Sequence, residues 1–145
     1  RQVAERQAKT AQNRLSQNGY RADIQILNDK SNPIQKGTSI VLWAQTDTGV
    51  VIGADAIGQL RKMAEDVGRE AAENLVRELS VKPTADIFLA DMLIPYMALA
   101  EDKSVLYSRA LSEHIEANIW LMETMLNCRF SVQKVNNLYR IERVS

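Results

Sequence analysis

Apolar residues recur along this chain at two periods, and the change of period divides it into helices and strands. From Val3 to Gln17, the residues Ala4, Ala8, Ala11 and Leu15 return at helical spacing, while Arg6, Lys9, Asn13 and Arg14 lie mostly on other faces. Asn18-Gly19 predicts the stop, because glycine adopts the left-handed C-terminal conformation cheaply. Tyr20, Ala22, Ile24 and Ile26 then alternate with Arg21, Asp23 and Gln25, the pattern of a half-buried strand. Asn28 to Lys36, with Pro33, is a polar loop. Ser39 to Thr46 is apolar on both faces and predicts a central strand. Asp47-Thr48-Gly49 is a turn, and Val50 to Ala54 returns as the hairpin partner. Gly53-Ala54-Asp55-Ala56-Ile57-Gly58 is expected to be a small-residue loop leaving that strand. It lacks the Lys-Ser/Thr that would make it a phosphate-binding loop.

The next helix, Ala64 to Leu79, buries a stripe of Ala64, Val67, Ala71, Leu75 and Leu79. Glu65, Arg69, Glu73, Arg77 and Glu78 are expected in solvent, with Glu65/Arg69 and Glu73/Arg77 paired along the helix. Gly68 costs about 1 kcal/mol against alanine there, and a close approach to the sheet is the expected return. Ser80 to Thr84, with Pro83, predicts a domain boundary, Thr84 an N-cap, and Asp86 a carboxylate in the first turn. Ile87 to Ala100 is helical, and Pro95 is expected to kink or split it. Lys103 to Arg109 is a strand. Ser112 or Glu113 begins a helix with Ile115, Ile119, Met122 and Met125/Leu126 inward, and Trp120, Tyr96 and the methionines are read as packing residues. Arg129 to Gln133 and Tyr139 to Val144 form a last hairpin over Asn136-Asn137. The order αβββα, then αβαββ, predicts a mixed α/β (α+β) fold of two small αβ layers, residues 1–82 and 83–145.

Composition narrows the function. Eighteen Lys and Arg balance eighteen Asp and Glu, so no global field draws nucleic acid or anionic lipid. No apolar run reaches the ~20 residues needed to span a bilayer, and no secretory signal is visible, so no membrane partner is expected. A lone cysteine, Cys128, fits a reducing cytoplasm. With only one histidine, His114, it cannot build a Cys/His zinc site. Arg1 opens directly into a helical pattern with no initiator Met, so the expectation is a piece of a longer protein, or a chain whose earlier part is supplied separately.

Taken alone, a single histidine at a strand-to-helix junction is either structural or a nucleophile. The surrounding text decides between them by resemblance. Phe88-Leu89-Ala90-Asp91, Leu93-Ile94-Pro95-Tyr96-Met97-Ala98-Leu99-Ala100, His114 with Asn118-Ile119-Trp120, and Cys128-Arg129-Phe130 resemble the C-terminal end of the RNA 3'-terminal phosphate cyclase family. Thr38-Ser39-Ile40-Val41-Leu42-Trp43-Ala44, the Gly53 to Gly58 stretch and Glu65 to Glu73 resemble it too, so the likeness is colinear over nearly the whole chain. The resemblance implies that residues 1–82 are a partial thioredoxin-like inserted domain lacking its first strand. Residues 83–145 would then be the end of a repeat like the C-terminal domain of a translation initiation factor.

The resemblance also implies a chemistry. Such enzymes spend ATP, with a divalent metal (Mg or Mn), to turn an RNA 3'-terminal phosphate into a 2',3'-cyclic phosphate. The nucleophile falls on His114, which would carry AMP; Phe88, Asp91 and Asn118 fall on nucleotide-side positions, and no metal ligand falls within this chain. The partners implied are RNA with a 3'-terminal phosphate, ATP, and the missing N-terminal part of the same protein. The elementary chemistry agrees, because imidazole is near neutral at working pH and its second nitrogen needs an orienting acceptor, for which Asp91 is a candidate. Asn118, four residues after His114, would share its face if the helix has begun. Phe88 stands where relatives often carry Tyr and either stacks on adenine or packs in the core. Met92 departs from the usual Gln, and Glu116-Ala117 from the usual Leu-Thr. Arg69 and Lys62 face either polyphosphate or solvent. The other reading the family allows is a non-catalytic scaffold for RNA processing or ribosome assembly, which keeps the fold and loses the nucleophile.

Overall fold

The computed structural model describes residues 2–28, 31 and 37–144. They form α1 (Val3–Gln17), β1 (Ser39–Gln45), β2 (Val51–Ile57), α2 (Ala64–Val81), α3 (Ile87–Leu99), β3 (Ser104–Ser108), α4 (Glu113–Leu126), β4 (Phe130–Val135) and β5 (Leu138–Arg143). The fold is mixed αβ with two small sheets, one ordered β1-β2 and the other β3-β5-β4. The chain divides into two compact units, residues 1–44 with 53–77, and residues 45–52 with 78–145.

In the first unit α1 and α2 run side by side in the same direction. The guanidinium of Arg6 donates two 2.7 Å bonds to the carboxylate of Glu65, and Arg14 pairs with Glu73 at 3.1 Å. Arg69, expected to pair with Glu65 along α2, turns to Asp66 instead. The Glu65 carboxyl is held below its ordinary pKa, chiefly by the Arg6 hydrogen bonds. Gly68 explains why the helices lie so close. A Cβ there would run into the backbone carbonyl of Gln7, so the close approach is to α1 and not to the sheet. Gln7 itself is buried and donates to the Thr38 hydroxyl at 2.8 Å. Ala11, Leu15, Ile40, Leu42, Val67, Ala71 and Leu75 fill the core around it.

Three strand expectations change. Residues 20–27 form no strand: Ala22 and Ile24 keep the half-buried alternation, yet no ladder partner lies beside them among the described residues. Among the described residues β1 has one ladder neighbour, β2, where a central strand has two, and its Val41 and Trp43 are about two-thirds exposed. The small-residue stretch after Val51 is strand rather than loop. Ala54 and Ala56 alternate into the core, and Gly58 N–H then donates to the Thr38 carbonyl at 2.7 Å. A Cβ on Gly58 would collide with Thr38. The loop expected at 28–36 lies mostly outside the described residues.

In the second unit α3 and α4 pack with the antiparallel sheet β3-β5-β4 around Ala90, Ile94, Met97, Leu106, Ile115 and Ile141. Ile141 of the middle strand faces Leu106 on one side and Val132 on the other. Asp86, not Thr84, caps α3, accepting from Leu89 N–H at 2.9 Å. Thr84 instead bonds across to Tyr107, receiving its N–H at 2.8 Å. Asn136 adopts a positive φ of 55° in the final hairpin, as the turn requires. Glu78, expected in solvent, is buried and meets the Arg109 guanidinium at 3.1 Å. Burial pushes its carboxyl above the ordinary pKa, and Arg109 offsets only part of that. Met125, Trp120, Tyr96 and Met92 lie out on the surface, against the expectation that they pack.

Candidate functional site

α3 is nearly apolar all round, a pattern that normally marks a helix enclosed on every side. Here Ala90, Ile94, Met97 and Ala98 face the core, while Phe88, Met92, Tyr96 and Leu99 are each at least 60% exposed. The helix passes Pro95 without splitting. Proline has no N–H, so the carbonyl four residues earlier, that of Asp91, loses its usual helical donor. The side-chain amide of Asn118, on α4, lies 3.5 Å from that carbonyl. The same amide donates to the Asp91 carboxylate at 2.5 Å. Both atoms on Asp91 are acceptors, which fixes the nitrogen of Asn118 as the group turned toward it.

His114 is exposed in the first turn of α4. Ser112 sets where that turn begins. Its hydroxyl accepts from Ile115 N–H at 3.2 Å, and its carbonyl takes the first helical bond, from Glu116 N–H. Ile115 anchors the turn, since it is fully buried. With the helix begun at Glu113, Asn118 lies one turn beyond His114 on the same face. Phe88 lies one turn before Asp91 on α3. It is 60% exposed and so not a core aromatic. The four residues singled out from the sequence, His114, Asn118, Asp91 and Phe88, therefore follow one another across two packed helices. The direct bond in this cluster joins Asp91 to Asn118, a pairing that the sequence reading missed. Pro95 four residues after Asp91 was the signal that could have prompted it.

The electrostatics nearby are acidic. Glu113 and Glu116 flank His114, and the nearest upstream cation in sequence, Arg109, is committed to Glu78. In the first unit, Lys62 pairs with Glu70 at 2.5 Å and Arg69 with Asp66, so both cations weighed for polyphosphate already hold carboxylates. Among the described residues no group of three or more His, Cys, Asp or Glu side chains is arranged to hold a metal ion. No helix among them is long and apolar enough to cross a membrane.

Known proteins resemble this chain along most of its length. The family model described as "RNA 3'-terminal phosphate cyclase (RTC), insert domain" matches residues 1–80. A protein of Pyrobaculum aerophilum named RNA 3'-terminal phosphate cyclase is 41% identical over 142 residues, covering 97% of this chain and 40% of its own. The protein of that name from Pyrobaculum neutrophilum is 39% identical over 140 residues, with 97% and 40% covered. The one from Methanopyrus kandleri is 40% identical over 128 residues, covering 86% of this chain and 36% of its own. The chain thus spans about two fifths of the length of these relatives. With the match running through both compact units, the chain belongs to the RNA 3'-terminal phosphate cyclase family.

Proposed function

We propose that this chain forms the nucleotide-accepting end of an ATP-dependent RNA 3'-terminal phosphate cyclase, an enzyme of the ligase class, with His114 as the nucleophile. The observation that carries the reading is the exposed His114 imidazole, held in the first turn of a capped helix one turn from the Asp91–Asn118 pair. An imidazole nitrogen attacks the α-phosphorus of ATP, the bond to the β-phosphate oxygen breaks, and pyrophosphate leaves. The AMP held on His114 then passes to the RNA 3'-phosphate oxygen, which restores the imidazole. Finally the neighbouring 2'-hydroxyl attacks the phosphorus of the RNA 3'-phosphate, loses its proton and expels AMP, closing the 2',3'-cyclic phosphate.

Each residue has a task in this scheme. Phe88 offers an exposed ring face on which adenine stacks, worth about 0.5–1.5 kcal/mol beyond area burial. Asp91 supplies the acceptor that orients the bound nucleotide or the histidine ring. Charge develops on phosphate oxygens during attack and needs cations to offset it. Glu113 and Glu116 stand beside His114 in the first turn of α4, and in this reading the offsetting cations and a divalent metal (Mg or Mn) come from the rest of the protein. No step above is assigned to a metal ion. The chain acts in this reading only with the N-terminal part of the same protein, in a cytoplasmic setting.

The test uses the full-length protein, a short RNA ending in 3'-phosphate, and ATP. Conversion to a phosphatase-resistant end is expected, with loss of conversion in His114→Ala. Conversion without ATP, or unchanged in His114→Ala, would overturn the assignment.

A further inference from the structure

The side-chain amide nitrogen of Asn118 is turned toward two acceptors of a single neighbouring residue. It donates to the Asp91 carboxylate at 2.5 Å and lies 3.5 Å from the Asp91 main-chain carbonyl. That carbonyl lacks its helical donor because Pro95 stands four residues on. The donor end of this side chain is thus turned to α3. We infer that Asn118 is a positioning residue: it acts through Asp91, clamping the carboxylate and the proline-freed carbonyl of α3 to the helix that carries His114. The inference rests on the reaction proposed above only for its catalytic consequence. The clamp itself is a statement about two helices.

The arrangement couples three positions. Pro95 takes a donor away from α3, Asn118 supplies one from α4, and the replacement fixes the Asp91 carboxylate in one orientation. Replacing Asn118 with Ala would leave a carbonyl and a carboxylate oxygen to find water, and the carboxylate would be free to rotate. Small misplacement of a group that orients reactants costs rate out of proportion, up to about 100-fold for a shift near 1 Å.

The experiment is a double-mutant cycle in the full-length protein: wild type, Asp91→Ala, Asn118→Ala and the double variant. Two readouts are taken, the rate of adenylylation at saturating α-labelled ATP and the melting temperature. Asn118→Ala is expected to slow adenylylation about 10- to 100-fold. The double variant is expected to be no slower than Asp91→Ala. Independent losses that multiply would overturn the inference, since Asn118 would then touch the nucleotide by itself. Melting supplies the arm that does not depend on the enzymatic reading. The drop caused by Asn118→Ala is expected to shrink in a Pro95→Ala background, where the alanine N–H again serves the Asp91 carbonyl. An undiminished drop would overturn the clamp. If wild type takes no label, the proposed reaction fails, and the melting comparison in the Pro95→Ala background still decides whether Asn118 clamps the Asp91 carbonyl.

Discussion

Gly68 provides a sharp test of how the first unit is built. In a free helix, replacing glycine by alanine is worth up to about 1 kcal/mol of stabilisation. Here the added Cβ meets the carbonyl carbon of Gln7 at 3.0 Å, its Cα at 3.1 Å, and the carbonyl oxygen closer still. The obstacle is backbone and cannot swing aside like the tip of a side chain. α1 and α2 must separate, which loosens the Arg6–Glu65 pair and the Gln7–Thr38 bond together. Overpacking of this kind costs about 1–3 kcal/mol, and a backbone obstacle belongs in the upper half of that range. Subtracting the propensity gain leaves Gly68→Ala destabilised by about 1–2 kcal/mol. Urea titration followed by circular dichroism measures this as a lower midpoint at unchanged slope. A variant that is more stable than wild type by about 1 kcal/mol, as at an unobstructed helical glycine, would refute the packing argument.

Two further outcomes are expected. Phe88→Ala should leave the melting temperature almost unmoved, since the ring is 60% exposed, while raising the KM for ATP by up to about tenfold through lost stacking; an unchanged KM would remove Phe88 from the site. Burial raises the Glu78 carboxyl above its ordinary pKa in the folded protein, so its contribution to stability is fully present below the ordinary value and is lost as pH rises through the raised one. Wild type should therefore lose stability relative to Glu78→Gln as pH is raised upward from about 4, and a melting-temperature difference that stays flat or runs the other way would contradict the burial argument.

The helical elements were legible because their apolar spacing is long and regular. α1 spans the residues its alanine stripe marks, and the Ser112 cap and the Asn136 turn follow from local chemistry. The misses share a cause, which is that a pattern names a face but not what covers it. The alternation at residues 20–26 survives in the structure without becoming a strand, because a strand also needs a neighbour. Gln7 and Glu78 look like surface residues in sequence. Their partners, Thr38 and Arg109, each lie 31 positions away, too far for local periodicity to connect. Val41, Trp43 and the outer stripe of α3 look like core and are exposed.

The site divides along the same line. Family likeness pointed to His114, Phe88, Asp91 and Asn118, and the helical period put His114 and Asn118 on one face of α4. The bond between Asp91 and Asn118 spans 27 positions and two helices, and only the packed structure supplies it.

The central claim is that the exposed imidazole of His114 takes an adenylyl group. Full-length protein incubated with α-labelled ATP, then digested and mapped, addresses it most directly. The account predicts one equivalent of label on the peptide carrying His114, stable to alkali, lost in mild acid, and absent from His114→Asn. An unlabelled wild type, or equal labelling of His114→Asn, would contradict it.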